Sequence, residues 1–108
     1  MAKLYFTLTG TRHYFGDEFL QPGMEVFLKK EPENPYDSEA IQVRVPGLGT
    51  IGYVANSPHT VLGESFSAGR LYDRIGDNAT GTVVYRLPKG VLCRVSRKSV
   101  IYTPPGEK

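Results

Sequence analysis

Glycine and proline punctuate this chain at regular intervals, 12 and 8 of them in 108 residues, and the segments between them are short and alternate apolar with polar side chains. Such a pattern suits many short strands separated by turns. In Lys3–Thr9, Leu4, Phe6 and Leu8 alternate with Tyr5 and Thr7, the two-residue period of a half-buried strand. Glu25–Lys30 is a second strand, preceded by a Pro22-Gly23 turn. Ala40–Val45 puts Ile41, Val43 and Val45 on one face, and Pro46-Gly47-Leu48-Gly49 returns the chain into Thr50–Val54 as a hairpin. Thr80–Leu87 and Val91–Val95 flank the turn at Pro88-Lys89-Gly90, and Val100–Thr103 reads as a last short strand. A helix is expected after Ser57, which can N-cap it, with Pro58 at its first position, Val61, Leu62 and Phe66 on its apolar face and Gly69 as its stop. Leu71–Ile75 suits either a helical turn or a strand, and Gly10–Gly16 either a loop or a strand end. About six short strands with one or two short helices predict a mainly β fold closed, or nearly closed, into a barrel, which removes exposed sheet edges.

The length is that of one domain, expected over residues 1–103, with residues 104–108 (PPGEK) as a flexible tail. An apolar content of 40% and a charged content of 22% are ordinary for a globular protein. No apolar run approaches the ~18 residues that span a membrane, and the N-terminus lacks the pattern of a signal peptide, so the cytoplasm is the expected compartment. Cys93 is the single cysteine and reads as a buried strand residue. With only His13 and His59 beside it, a zinc site is short of ligands, and no metal or cofactor is expected.

The net charge of +2 is small, but its distribution is uneven. Arg86, Lys89, Arg94, Arg97 and Lys98 fall in one stretch without an acidic residue, while acids outnumber bases from Asp17 to Glu39. A local basic stripe suits a polyanion; a solvated strand face balancing the acidic half is the simpler alternative.

The stretch Glu31-Pro32-Glu33-Asn34-Pro35-Tyr36-Asp37 packs prolines, an amide, a phenol and carboxylates into a turn that leads straight into a strand. Turns of this composition can hold polar groups rigidly at a barrel mouth. Three pieces in order, Gly10-Thr11-Arg12-His13-Tyr14-Phe15-Gly16, the Glu31–Asp37 run with Ala40-Ile41-Gln42-Val43, and Ile51-Gly52-Tyr53-Val54, together resemble the HIRAN domain. The likeness is strong over roughly residues 4–70 and weaker beyond. It implies an OB-like β-barrel. HIRAN domains occur at the N-terminus of helicase-like transcription factors, where the domain captures the 3′-hydroxyl end of single-stranded DNA, and as stand-alone proteins in bacteria and phages. The implied role is a stand-alone binding module whose partner is single-stranded DNA or DNA ends.

The residue types suit that chemistry. A terminal hydroxyl donates to a carboxylate, and Asp37 matches that role. Tyr36, Tyr85 and Tyr53 offer faces on which an unpaired base can stack. Asn34 can bond a base edge or hold the loop, and Arg12 can pair with a phosphate. His13 stands where the family usually has an aromatic, typically Tyr, and Tyr53 where the DNA-end binder has a His. Lys89, Arg94 and Arg97 could track the backbone. Each has a structural alternative: an Asx turn for Asp37, a turn start for Asn34, a barrel plug for Tyr36, an ion pair for Arg12. A rival function is a protein-interaction or structural module that keeps the fold without DNA binding. An enzyme is not expected, because no HExxH, Walker A or G-x-S-x-G motif is present.

Overall fold

Six antiparallel strands close into a barrel in the computed structural model, which describes residues 3–106. The strands are β1 (Tyr5–Thr9), β2 (Glu25–Lys30), β3 (Ile41–Val45), β4 (Gly49–Val54), β5 (Asn78–Leu87) and β6 (Gly90–Val95), arranged β1-β4-β3-β2-β5-β6 around the wall. β6 closes the ring by pairing Tyr5↔Arg94 through Leu8↔Val91. The alternation read from the sequence fills the interior: Phe6 and Leu8, Val26 and Leu28, Ile41 and Val43, Ile51, Val83, Val91 and Cys93 are all buried. Burial pushes the Cys93 thiol up to about 12, as expected when a charged form is denied water.

The β1–β4 seam is the narrowest part of the wall, with only Leu8↔Val54 and Thr9↔Tyr53 in register. Gly52 permits this approach: a Cβ there would lie 2.5 Å from the Thr9 carbonyl oxygen and 2.7 Å from Leu8 Cδ1. The remaining edge of β1 is covered by the chain that follows β4. Ala55 N–H donates to Thr7 O, Phe66 N–H donates to Tyr5 O, and Leu62 N–H donates to Thr7 Oγ1.

This cover explains where the expected helix from Ser57 to Gly69 fails. Ser57 Oγ accepts from His59 N–H and the Ser57 carbonyl accepts from Thr60 and Val61, forming one local turn. The backbone is then drawn onto β1, and helical bonds give way to bonds with Thr7 and Tyr5. The helix (α1) instead spans Ala68–Tyr72, capped by Ser67, whose side chain accepts from Arg70 N–H. It contributes Ala68 and Leu71 to the core. The expected strand Val100–Thr103 is reduced to one bridge, Ile75↔Val100, because the segment pairs with no barrel strand and instead with residues 74–75, where Ile101 N–H donates to Arg74 O at 2.8 Å. Gly10–Gly16 contains a 3-10 turn, Thr11–His13. Of the expected tail, residues 104–106 carry no regular element, and residues 107–108 lie outside the described residues.

Among the described residues, no helix is long and apolar enough to cross a membrane. Nor does any group of three or more His, Cys, Asp or Glu side chains sit where it could hold a metal ion.

Candidate functional site

The loop joining β2 to β3 is closed at its base by Glu31 N–H donating to Ala40 O at 2.8 Å. Within it, Asn34 Oδ1 accepts from Tyr36 N–H at 2.9 Å and from Asp37 N–H at 3.1 Å. Asp37 Oδ1 accepts from Glu39 N–H at 2.9 Å. The turn-holding roles considered for Asn34 and Asp37 are therefore realised. They organise the loop while leaving Tyr36 outside it: its side chain is 95% exposed, so it is not a barrel plug.

A second set of bonds fastens the loop to the barrel. The Glu31 carboxylate accepts from Tyr53 OH, from Asn34 Nδ2 at 2.9 Å and from Gln42 Nε2. Asp37 Oδ2 accepts from Asn56 Nδ2 at 2.8 Å, and Asn56 Oδ1 accepts from Gly69 N–H at 2.8 Å, tying the loop to the start of α1. Burial, reinforced by the Glu31 carboxylate and the nearby Tyr14, holds the Tyr53 phenol well above its ordinary pKa. Tyr53 therefore stays a neutral donor.

Tyr14, Asn34, Tyr36, Asp37, Ala40, Tyr53 and Val54 line one cleft of about 430 Å³. The Tyr14 and Tyr53 rings are 6.4 Å apart and tilted by 45°. The cleft offers aromatic faces and a carboxylate, and no cation among the described residues lines it. Two of the lone-pair positions of Asp37 are occupied by Glu39 and Asn56; a carboxylate has about four, so it can accept further bonds.

Arg12 and His13 face a neighbouring cleft of about 580 Å³ that Lys89 and Asp17 also line. The Gly10–Gly16 segment separates the two. Gly10 and Gly16 adopt φ of 75° and 72°, a left-handed conformation that glycine accepts readily. Gly16 N–H donates to Thr11 O, closing the turn so that Tyr14 falls on one side and Arg12 on the other.

The seven residues read from the sequence as contacts to a DNA end are thus distributed. Asn34, Tyr36, Asp37 and Tyr53 share the aromatic cleft, Arg12 and His13 the basic one, and Tyr85 lines neither. Tyr85, on β5, pairs with Leu92 of β6, lies three strands around the wall from Tyr53 and is 61% exposed. Lys89 joins Arg12, whereas Arg94 and Arg97 sit in a different groove. Sequence reasoning did not single out Tyr14, Glu31 or Asn56. Tyr14 lay within the glycine-bracketed motif. Glu31 and Asn56 act across 22 and 19 residues through bonds to Tyr53 and Asp37, a separation that no local pattern announces.

These features define a small closed antiparallel barrel with an aromatic–carboxylate cleft built on its loops. The HIRAN domain family matches residues 1–103, and the chain belongs to it. Two solved structures share the fold. The HIRAN domain of human HLTF has a TM-score of 0.57 and 20% identity over 87% of this chain and 74% of that one. A protein from Lactobacillus plantarum has a TM-score of 0.52 and 24% identity over 89% of this chain and 98% of that one. No curated protein matches the chain significantly.

Proposed function

We propose that the domain is a DNA-binding module that receives the 3′ end of a single strand in the cleft between the Gly10–Gly16 turn and the Glu31–Ala40 loop. The observation that carries this reading is the juxtaposition of a carboxylate with aromatic faces in one cleft: Asp37 beside Tyr14, Tyr36 and Tyr53. A terminal hydroxyl can donate to Asp37, and the terminal base can stack on Tyr36 or Tyr14. A terminal phosphate meets an anion instead. The internucleotide phosphates lead away from Asp37 towards Arg12 and Lys89 in the adjoining cleft, where positive charge suits them. Tyr53 commits its hydroxyl proton to Glu31 and offers the cleft its ring face, while His13 lines the adjoining basic cleft.

Fluorescence anisotropy with a short single strand tests this directly. A free 3′-hydroxyl should bind more tightly than a 3′-phosphate, and Asp37→Ala should abolish the difference. Equal affinity of the wild type for the two ends would remove end recognition. Absence of any oligonucleotide binding at low salt, together with a stable oligomer or a co-purifying protein, would favour the protein-interaction alternative.

A further inference from the structure

The basic run of the sequence divides in space. Lys89 lies at the β5–β6 turn with Arg12, whereas Arg94, Arg97 and Lys98 lie at the other end of β6 and share a groove with Lys3. A strand rises about 3.3 Å per residue, so the four steps from Gly90 to Arg94 separate the two basic sites by roughly 13 Å. Across β1 the same offset runs from the Thr9↔Tyr53 pair to the Tyr5↔Arg94 pair.

Four segments build the groove: Lys3 just before β1, Thr82 of β5, the end of β6 and the 3-10 turn at Arg97–Ser99 with the residue after it. The turn is pinned to β5. Ser96 N–H donates to Thr80 O at 2.8 Å, Thr80 N–H donates to Ser99 Oγ at 3.0 Å, and Thr80 Oγ1 donates to Ser96 Oγ at 2.8 Å. The groove, of about 650 Å³, is lined by Lys3, Arg94, Arg97 and Lys98 with Thr82, Ser96, Val95 and Val100, and among the described residues by no carboxylate. None of the four cations makes an ion pair with a described residue. Four like charges gathered in one groove repel one another, and a bound polyanion relieves that repulsion.

We propose that this groove is a second nucleic-acid contact that takes the phosphate backbone of duplex DNA. No aromatic residue lines it, so it lacks the stacking platform with which proteins hold unpaired bases. A duplex keeps its bases stacked inward and presents one negative charge per about 1.7 Å of its axis, which matches a groove of cations alone. The two sites divide the labour: aromatic rings and a carboxylate without cations in one, cations without aromatic rings in the other. The duplex contact does not depend on the 3′-end reading.

The test uses the full chain and a short blunt duplex with both 3′ ends phosphorylated, titrated at several salt concentrations between about 50 and 200 mM. The wild type should bind, with affinity falling steeply as salt rises. The triple variant Arg94→Ala, Arg97→Ala, Lys98→Ala should lose at least about tenfold in affinity at low salt, and its log–log salt slope should shrink by up to about 2.7, near 0.9 for each phosphate contact removed. Its circular dichroism spectrum and thermal unfolding midpoint should match the wild type, which shows that the variant is folded, and its relative affinity for 3′-hydroxyl and 3′-phosphate single strands should be unchanged. The charge-preserving Arg94→Lys, Arg97→Lys variant should retain duplex binding. No duplex binding by the wild type, or an unchanged slope in the triple variant, overturns the proposal. Equal competition by polyglutamate, or tighter binding to phosphatidylserine vesicles than to duplex, overturns the assignment to nucleic acid. Failure of end recognition would instead appear as equal affinity for the two single-strand ends, with the duplex titrations unaffected.

Discussion

The Tyr53 hydroxyl donates to both oxygens of the Glu31 carboxylate, at 2.9 and 3.0 Å. Through that carboxylate, which also receives Asn34 and Gln42, the β2–β3 loop is fastened to β3 and β4 together. The aromatic cleft is therefore a product of one acceptor that several donors share.

Glu31→Ala should destabilise the domain by about 2 kcal/mol, because it leaves three part-buried donors without their charged acceptor. It should also weaken single-strand binding by releasing the loop that presents Tyr36. Equilibrium urea unfolding and anisotropy measure the two effects separately. Glu31→Gln, which keeps one acceptor oxygen, should recover part of each. A urea midpoint unmoved by Glu31→Ala would show that the network contributes nothing to the fold.

Tyr36→Ala should separate binding from stability. The side chain is 95% exposed, so its loss should move the unfolding free energy by no more than about 0.5 kcal/mol. Loss of a stacking face should cost binding about 1–3 kcal/mol. Tyr85→Ala, away from the cleft, should cost less than Tyr36→Ala in the same titration. The reverse order would relocate the stacking site to β5.

Gly52→Ala should destabilise the barrel by about 1–3 kcal/mol through overpacking. The added methyl meets the Thr9 carbonyl at 2.5 Å, and backbone cannot rotate away as a flexible side chain can. Thermal unfolding monitored by circular dichroism reads the loss. Wild-type stability in this variant would mean that the β1–β4 seam is looser than its geometry.

Stability should fall in alkaline solution. An unfolded thiol titrates near 8.5, while Cys93 in the fold is pushed up to about 12. Between those values the unfolded chain has released a proton that the folded chain keeps, so the slope of unfolding free energy against pH is negative. The raised Tyr53 phenol acts in the same sense from about pH 10 upward. Both contributions are complete below the unfolded pKa values and are lost as pH rises. Urea midpoints measured across that range should decline, and Cys93→Ala or Tyr53→Phe should each flatten the decline. In the native protein Cys93 should resist alkylation until denaturant is added. Rapid labelling at neutral pH would contradict its burial.

Where structure follows from neighbours along the chain, it was legible in the sequence. Glu25–Lys30 was read with the bounds it has, and the alternation of Phe6 with Leu8 and of Ile41 with Val43 placed them correctly in the core. The HIRAN family was legible from three short motifs, and the reason for one of their glycines, Gly52, is the approach of β1. The helix after Ser57 was misread because local capping chemistry there competes with β1. Thr7 and Tyr5 supply the winning hydrogen bonds from more than 50 residues away.

By itself, then, the sequence determined the six barrel strands, their inward faces and the family, since each depends on spacing within a few residues. Only the closed barrel decided that Glu31 meets Tyr53, that Tyr14 parts from Arg12, and that Lys3 joins Arg94 and Arg97 while Lys89 does not. Closure sets those partners through strand register, and register relates residues by their height on neighbouring strands, whatever their distance along the chain.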